Sequence, residues 1–425
     1  MIDIRELNTR KEEIAANIAA RGMHVDLDAL LVLQRQRSEL LQETEALRAR
    51  RNDIAASMKR KVDPAQRDIL IADGKEIKEN IAEREALLNQ VQSQYLELAK
   101  KIPNYAHPDA PVGNLDTDNR EIRRWREPTQ FSFQPKDHVQ LAEALDIIDF
   151  ETATRVSGAK FYYLKQEAVL LELALQRYAI DLLRARGFTL TITPDIAREE
   201  IVEGIGFNPR GEESNIYTIE GTGTCLVGTA EITLGGYHAD SILDEAALPI
   251  RLSGLSHCFR REAGSAGQYA KGLYRVHQFT KVEMFVYCRP DQSDAIHQEL
   301  LQIEEELFQG LNIPYRVVDT CTGDLGAPAY RKFDIEAWMP GRGDRGEYGE
   351  VTSTSNCTDY QARRLNVRYR DQDGKVQFVH LLNGTAIAMS RAMVAILENY
   401  QREDGSIGIP EVLIPLTGFS EIRRT

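Results

Sequence analysis

The chain has 425 residues, of which 42% are hydrophobic and 28% are charged, a balance typical of a globular protein with a sizeable core. No apolar run approaches the roughly 18–20 residues of a membrane span, and the charged segment Met1–Glu13 does not resemble a signal peptide. We therefore expect a cytoplasmic protein without a membrane partner. The formal net charge of −13 argues against nucleic-acid binding unless basic residues are gathered on one element.

The N-terminal quarter has the pattern of a long helical hairpin. From Asp26 to Ile102 the chain is rich in strong helix formers and contains one proline and one glycine. Apolar residues recur at heptad spacing in two runs, first at Leu33, Leu40, Leu47 and Ile54 and then at Ile77, Ile81, Leu88, Val91, Tyr95, Leu98 and Ile102. The pattern predicts an antiparallel coiled-coil hairpin whose tip lies between Met58 and Ile71.

Basic residues gather on the outer part of the first arm of this hairpin, at Arg48, Arg51, Lys59, Arg60 and Lys61. Charged side chains are normal on the solvated face of a coiled coil, and this stretch alone favours that simpler interpretation. The alternative is that the cluster contacts the phosphates of a nucleic acid.

A proline-rich linker at 103–113 follows the hairpin, so we predict two domains, 1–105 and 106–425. The second domain mixes helices and strands without regular alternation, which favours an α+β fold with a mainly antiparallel sheet flanked by helices. We predict helices at 142–149, 163–186, 293–310 and 386–400, and strands at 188–193, 275–287 and 376–382.

The five cysteines of this domain are widely spaced and form no Cys-x-x-Cys pair; they are Cys225, Cys258, Cys288, Cys321 and Cys357. Closely spaced cysteine pairs are the usual mark of a zinc site, so we expect none. We expect reduced thiols that pack in the interior.

An arginine-rich hairpin carries the most informative motif. The sequence Phe-Arg-Arg-Glu at 259–262 precedes a glycine-containing loop, and Arg275 and Phe279 lie beyond it. Arginine offers a planar charged fork to phosphate oxygens, and phenylalanine offers a stacking face to a base. The pattern indicates a nucleotide site, although a surface hairpin with charged edges produces the same pattern.

Two further segments suggest ligand contacts. We interpret Asn383-Gly384-Thr385 as a turn before a helix that carries Arg391, although an arginine extending from a core helix to solvent explains the same pattern. Glu350 and Ser353 are candidate ligands of Mg²⁺, because carboxylate and hydroxyl oxygens suit a hard cation. Residues three apart on a regular strand face opposite sides of a sheet, so this pair alone is only suggestive.

Taken in order, these segments resemble the class II aminoacyl-tRNA synthetases, and over the whole chain the resemblance is to the bacterial-type seryl-tRNA synthetases. The segment 259–262 with Arg275 is similar to the second class II motif, and 384–399 with Arg391 is similar to the third. The segment 187–194 is similar to the first motif, which builds the dimer interface in that class.

Three features are similar to the serine enzymes in particular: the segments 228–231 and 355–361, and the N-terminal hairpin itself. The chain departs from the common pattern at Arg261, where a smaller residue is usual, and at Thr385, where serine is also common. Neither departure removes a chemical group that the site needs.

The resemblance implies ATP-dependent activation of L-serine to seryl-adenylate and transfer of serine to the 3′ end of serine tRNA, by a homodimer. It implies Arg260 and Arg391 as catalytic residues, and Mg²⁺ held by Glu350 and Ser353. The ATP site implied in this way contains Arg260, Arg261, Glu262, Arg275, Val276, Phe279, Glu350, Val351, Thr352, Ser353 and Arg391. The implied serine site contains Thr229, Ala230, Glu231, Arg260, Glu283, Asn383 and Thr385.

In that family the hairpin grips the long variable arm of serine tRNA, which implies RNA contacts for the basic cluster at 48–61. A synthetase-like ligase that loads a carrier protein is a competing interpretation, but such proteins lack the full hairpin. A non-catalytic paralogue is a second, which the retained arginines and carboxylates disfavour. A duplicate, inhibitor-resistant synthetase keeps the same motifs and stays open, as does charging of selenocysteine tRNA.

Overall fold

The protein is described by a computed structural model over residues 1–60, 63–210, 214–263 and 272–424. The chain divides into two compact units, Met1–Pro103 and Asn104–Thr425.

In the described residues of the N-terminal unit the α-helices are α1 (Leu7–Ala20), α2 (Leu27–Met58) and α3 (Pro64–Ala99). Aspartates cap both long helices: Asp26 Oδ1 accepts from Ala29 N at 2.8 Å, and Asp63 Oδ1 accepts from Gln66 N at 3.0 Å. Pro64 opens α3, where its missing N–H costs no helical hydrogen bond. At 1.5 Å per residue, α2 and α3 extend about 48 and about 54 Å.

Helices α2 and α3 form the predicted antiparallel hairpin, and this prediction is confirmed. Arg37 Nε donates to Gln92 Oε1, whereas Arg48 Nη2 pairs with Glu85 Oε1 at 2.7 Å, so residue numbers rise along α2 as they fall along α3. The predicted heptad residues are all buried or partly buried, with Ile77 only 3% exposed. Because exposed ion pairs add little stability, burial of this seam holds the hairpin together.

The described residues of the C-terminal unit contain these strands: β1 (Arg120–Trp125), β2 (Ile148–Asp149), β3 (Tyr163–Leu164), β4 (Thr189–Ile192), β5 (Ile196–Arg198), β6 (Tyr217–Ile219), β7 (Thr224–Leu226), β8 (Ile242–Asp244), β9 (Ile250–Phe259), β10 (Gln278–Cys288), β11 (Tyr315–Asp319), β12 (Arg331–Met339), β13 (Glu347–Asn356), β14 (Arg368–Arg370), β15 (Val376–Phe378), β16 (His380–Ala388), β17 (Ile407–Gly408) and β18 (Glu421–Ile422). Its helices are α4 (His138–Leu145), α5 (Phe150–Ser157), α6 (Glu167–Ala185), α7 (Glu199–Ile205), α8 (Ala230–Gly236), α9 (Ser293–Gly310), α10 (Tyr360–Leu365), α11 (Met389–Asn399) and α12 (Ile414–Thr417).

Eight of the strands form one sheet in the order β1-β11-β12-β13-β16-β10-β9-β4. Neighbours in this sheet are antiparallel except β4, which runs parallel to β9. The predicted α+β fold with a mainly antiparallel sheet flanked by helices is confirmed.

The two faces of this sheet are covered differently. On one face, α6, α9 and α11 pack against the main core, into which β10 directs Val282, Met284 and Val286. On the other face, α7, α8 and α10 cover one end, over Phe285 and Tyr287. The remainder of the second face carries polar side chains, and these form the candidate site described below.

Several predicted boundaries differ from the structure. The helix at 293–310 coincides with α9, but the turn predicted at 383–385 is wrong, because these residues lie inside β16. The helix predicted from 386 begins at Met389, and the one predicted from 163 begins at Glu167. A strand buried on both faces lacks polar alternation, so the run at the end of β16 could not be distinguished from a buried helix.

The helix predicted at 142–149 is shifted, since α4 ends at Leu145.

All five cysteines are free and buried, which confirms the prediction made for the thiols. None of the helices in the described ranges combines the length and apolar character that crossing a bilayer requires.

Candidate active site

The candidate site occupies the polar part of the second sheet face, where α8 meets the strands. Side chains from four adjacent strands share this face: Lys281 and Glu283 of β10, Asn383 and Thr385 of β16, Glu350 and Ser353 of β13, and Asp334 of β12. Two helical positions complete it: Thr229, which caps α8, and Arg391 near the start of α11.

A β-bulge brings the two predicted magnesium ligands to one side of the sheet. Ile335 of β12 pairs with Thr352, whereas the next residue pairs with Glu350, so Val351 is an extra residue that interrupts the alternation. Glu350 and Ser353 therefore face the same side, which a regular strand would not allow.

A second bulge, between β10 and β16, arranges the predicted serine residues. Val282 pairs with Ile387 and Glu283 pairs with Thr385, which leaves Ala386 as the extra residue. The bulge directs Thr385 to the same face as Glu283, where Thr385 Oγ1 lies 3.4 Å from Glu283 Oε2.

Lys281 is the hub of the predicted serine pocket, although the sequence analysis did not select it. Its Nζ donates to Thr229 Oγ1 at 2.7 Å, lies 3.5 Å from Thr385 Oγ1 and forms an ion pair with Glu283 Oε2. These side chains are buried, with Lys281 5% and Glu283 2% exposed. The pocket is therefore small, polar and held by one charged pair.

Glu231 borders the same pocket but has different partners. Its Oε1 accepts from Gln361 Nε2 at 2.8 Å and from Asn383 Nδ2 at 3.0 Å. Burial of the carboxylate, together with the nearby charge of Glu283, raises the pKa of Glu231 to about 7.

A cleft adjoins this pocket. Its walls include nine of the eleven predicted ATP residues: Arg260, Glu262, Arg275, Val276, Phe279, Glu350, Val351, Thr352 and Arg391. They also include Tyr274, Lys281, Thr385, Ala388 and Ser390. The cleft is therefore continuous with the pocket through Lys281 and Thr385.

Arg391 is anchored at one wall of the cleft. Its Nη1 lies 3.0 Å from both Glu350 Oε1 and Glu350 O, and its guanidinium covers the Tyr274 ring at 4.8 Å from the centroid. Although desolvation opposes ionisation, Arg391 and Lys332 hold the pKa of Glu350 below its usual range. The carboxylate is thus kept anionic for a cation or a proton donor.

Arg260 stands at the junction of the cleft and the pocket. Its Nε donates to Gly228 O at 3.2 Å, and its guanidinium lies over the Phe279 ring at 5.3 Å. Arg275 pairs with Glu262 across the cleft, at 3.3 Å between Nη1 and Oε2. Phe279 and Arg391, which are both predicted ATP residues, therefore each already contact another side chain.

Four predicted ATP residues, and Ala230 of the predicted serine site, contribute in other ways. Arg261 is exposed, and its backbone N donates to Asn215 O at 2.9 Å. Thr352 turns its side chain to the opposite face, where Oγ1 donates to Glu304 Oε2 at 2.8 Å. Val276 and Val351 line the cleft as buried apolar groups, and Ala230 is buried at the start of α8.

Asp334 is a second residue that the sequence analysis missed. It pairs with Ser353 across the ladder, and its buried Oδ1 has no hydrogen-bond partner. Burial raises the pKa of Asp334 to about 6, with Lys332 opposing the shift. Within the described residues, no group of three or more His, Cys, Asp or Glu side chains is placed to hold a metal ion.

A sequence signal for Lys281 did exist. It precedes Glu283 by two residues in the apolar strand β10, so both charges share one face of a central strand. Charges buried in this way require partners, and such a pair indicates a built site. Tyr274, which joins Arg391 to Glu350 through its ring and its hydroxyl, had no comparable signal.

The predicted RNA-binding residues lie on the hairpin of the N-terminal unit. Arg48 is ion-paired with Glu85, whereas Arg51, Lys59 and Arg60 are exposed toward the tip. Lys61 lies outside the described residues.

The comparisons with known proteins agree with this geometry. The family model for the class II tRNA synthetase core domain (G, H, P, S and T) matches residues 217–400, which contain the sheet strands of the cleft. The model for the seryl-tRNA synthetase N-terminal domain matches residues 1–106. The fold and the cleft therefore define a class II aminoacyl-tRNA synthetase.

Similarity to individual proteins extends over the full chain. A serine–tRNA ligase of Treponema denticola is 61% identical over 422 residues, covering 99% of this chain and 100% of that protein. The crystal structure of seryl-tRNA synthetase from Pyrococcus horikoshii complexed with ATP has a TM-score of 0.90 at 43% identity, covering 100% of both chains. A cytoplasmic serine–tRNA ligase of Naegleria fowleri in complex with AMP has a TM-score of 0.84 at 32% identity, covering 97% and 96%. The chain belongs to the seryl-tRNA synthetases, which confirms the resemblance found in its motifs.

Proposed function

We propose that the chain activates L-serine with ATP and transfers the serine to the 3′ end of serine tRNA. The observation that supports this most directly is the continuity of a small polar pocket around Lys281 with a cleft lined by Arg260 and Arg391. In the first step the serine carboxylate attacks the α-phosphorus, and the bond to pyrophosphate breaks. In the second, a hydroxyl of the terminal adenosine attacks the carbonyl carbon, and AMP leaves.

Arg260 is the residue we propose to act on the reacting phosphate. Its position between Phe279 and the pocket would let it contact both the α-phosphate and the serine carboxylate. Charge develops on the phosphate oxygens in the transition state, so a preorganised cation lowers the barrier. Arg275 would meet the γ-phosphate and Glu262 the adenine amino group.

The adenine would lie between Phe279 and Arg391, which stand on the two walls of the cleft. Binding there requires Arg260 to leave the Phe279 ring and turn toward the phosphates. The backbone of Val276 would contact the edge of the base. These assignments share one requirement, which is a planar ligand that brings negative charge to the arginines.

The residues fit a magnesium ion that travels with ATP. The bulge at Val351 directs Glu350 and Ser353 to one side, and Asp334 adds a buried oxygen without a hydrogen-bond partner on that face. Hard oxygen donors of this kind suit Mg²⁺. When bound, the ion would neutralise phosphate charge. Glu350 also forms an ion pair with Arg391, so one of the proposed metal ligands directly contacts a proposed adenine partner.

Serine selectivity follows from a pocket of small polar groups. Thr229, Thr385 and Glu283 meet at Lys281, and each is less than one tenth exposed. Alanine would leave these polar groups unpaired, which can cost up to about 10⁴–10⁵ in specificity. Threonine would be excluded because its methyl group lacks room.

We propose that the hairpin binds the long variable arm of the tRNA through its exposed basic residues. Arg51, Lys59 and Arg60 suit phosphate contacts, whereas Arg48 already pairs with Glu85. Such contacts read shape and backbone more than sequence. A negative overall charge is compatible with this role because the positive field is local.

A homodimer is the proposed assembly. Apolar residues are exposed on the neighbouring elements α6 and β4, with Leu173 54% and Ile192 84% exposed. Exposed apolar side chains on adjacent elements suit a subunit interface. The free buried thiols suit a reducing compartment, and we place the enzyme in the cytoplasm.

The test is ATP–pyrophosphate exchange with each of the twenty amino acids, followed by charging of serine tRNA and selenocysteine tRNA. Exchange is expected with serine and with no other amino acid, and charging of serine tRNA is expected. Exchange without charging of any tRNA, but with loading of a carrier protein, would favour the carrier-protein ligase instead. A seryl-adenylate mimic then separates a sensitive enzyme from an inhibitor-resistant copy.

A further inference from the structure

A lysine inside an amino acid-binding pocket needs an explanation. The substrate itself brings an ammonium group, and two cations in one small pocket repel each other. Lys281 is nevertheless placed at the centre, 2.7 Å from Thr229 Oγ1 and beside Glu283. Burying an ammonium without a partner costs free energy. The buried position of Lys281 is tolerated because the carboxylate of Glu283 neutralises its charge.

The two carboxylates of the pocket therefore differ in whether a cation neutralises their charge. Glu283 forms an ion pair with Lys281, and Thr385 Oγ1 lies 3.4 Å from it. Glu231 is held by neutral amides, those of Gln361 and Asn383, and in the described part of the chain it makes no ion pair. The negative charge that remains for a ligand is therefore at Glu231.

We propose that Lys281 is a specificity-determining residue that sets the orientation of the substrate, an inference that rests on the proposed serine activation. Lys281 repels the substrate ammonium and directs it to Glu231. At the other end, a hydroxyl group can accept a hydrogen bond from the Lys281 ammonium and donate one to Glu283. An ammonium in place of the hydroxyl can donate to Glu283, but it cannot accept a hydrogen bond from Lys281.

The proposal separates serine from 2,3-diaminopropionate, which has an ammonium in place of the hydroxyl. In the wild-type enzyme this group would face Lys281 and be rejected. In Lys281→Met the cation is gone and the side-chain length is kept, so the β-ammonium of 2,3-diaminopropionate could pair with Glu283 in place of the lost lysine.

The experiment is ATP–pyrophosphate exchange with L-serine and with L-2,3-diaminopropionate, using the full-length wild type and Lys281→Met. The variant is expected to lose about a hundredfold in kcat/KM for serine while the KM for ATP changes less than about threefold. The ratio of diaminopropionate to serine activity is expected to rise by about a hundredfold or more. The double variant Lys281→Met/Glu283→Gln should lose that gain, because the partner carboxylate is removed.

An unchanged ratio of the two activities in Lys281→Met would overturn the proposal, and so would a serine kcat/KM within about threefold of the wild type. Exchange by the wild type with serine tests the proposed function separately, because it does not involve the variant. Folding of Lys281→Met is checked by thermal unfolding and by calorimetric ATP binding. If the variant is not folded, Lys281→Gln replaces it. That variant removes the charge and keeps hydrogen-bond donors, and the same rise in the activity ratio is required of it.

Discussion

The protonation of Glu231 should control serine binding between pH 6 and pH 8. The substrate ammonium needs an ionised partner, and burial with the charge of Glu283 raises the pKa of Glu231 to about 7. Other charged groups that face this carboxylate are Lys281 on β10 and Arg260 after β9. Lowering the pH therefore neutralises Glu231, which makes no ion pair within the described residues.

The magnitude follows from the raised pKa of Glu231, about 7. The ionised fraction of Glu231 is about 90% at pH 8 and about 10% at pH 6. If only the ionised form binds serine, the KM for serine rises about tenfold over this range, with the serine ammonium itself remaining protonated. Binding is thus lost as the pH falls through the pKa of Glu231, which is the direction expected for a carboxylate that must be charged.

The assay is pyrophosphate exchange at saturating ATP and Mg²⁺, so that titration of Asp334 on the metal side, with a pKa of about 6, does not affect the serine KM. Glu231→Gln is the matched variant: it keeps a hydrogen-bond acceptor and should show a high serine KM with little pH dependence. A wild-type KM that is flat from pH 6 to pH 8, or a variant that retains the tenfold rise, would refute the assignment.

Three further outcomes are expected. Arg260→Ala should lower the exchange kcat about 10²–10³-fold, and near-normal kcat would contradict its role at the phosphate. Gly384→Ala should destabilise the fold by about 1–3 kcal/mol in urea unfolding, because a Cβ there would lie 2.9 Å from Glu304 Oε1 and 3.0 Å from a threonine hydroxyl; unchanged stability would contradict the packing. Charge reversal on the exposed hairpin end should raise the KM for tRNA about tenfold or more and leave serine exchange intact, whereas equal loss of both would count against RNA binding by Arg51, Lys59 and Arg60.

Features that depend on local sequence were predictable. The hairpin follows from heptad spacing, which is a property of neighbouring turns, and its end follows from Asp63 and Pro64 at the start of α3. Helix α9 was predicted residue for residue because one amphipathic face recurs along it. The motif around Arg260 predicted a nucleotide site only as one of two interpretations, because a surface hairpin with charged edges produces the same pattern.

The composition of the pocket could be proposed from the motifs, but its geometry depended on the tertiary structure. Simple alternation separates Glu350 from Ser353, and only the pairing of β12 with β13 reveals that Val351 is an extra residue. The strand register is set by partners distant in sequence, so a bulge has no local signature. Lys281 had a local signal in its spacing from Glu283, but its place at the centre of the pocket depends on Thr229, which is far away in the chain. The sequence alone therefore determined which chemical groups are present, whereas the sheet decided which of them meet.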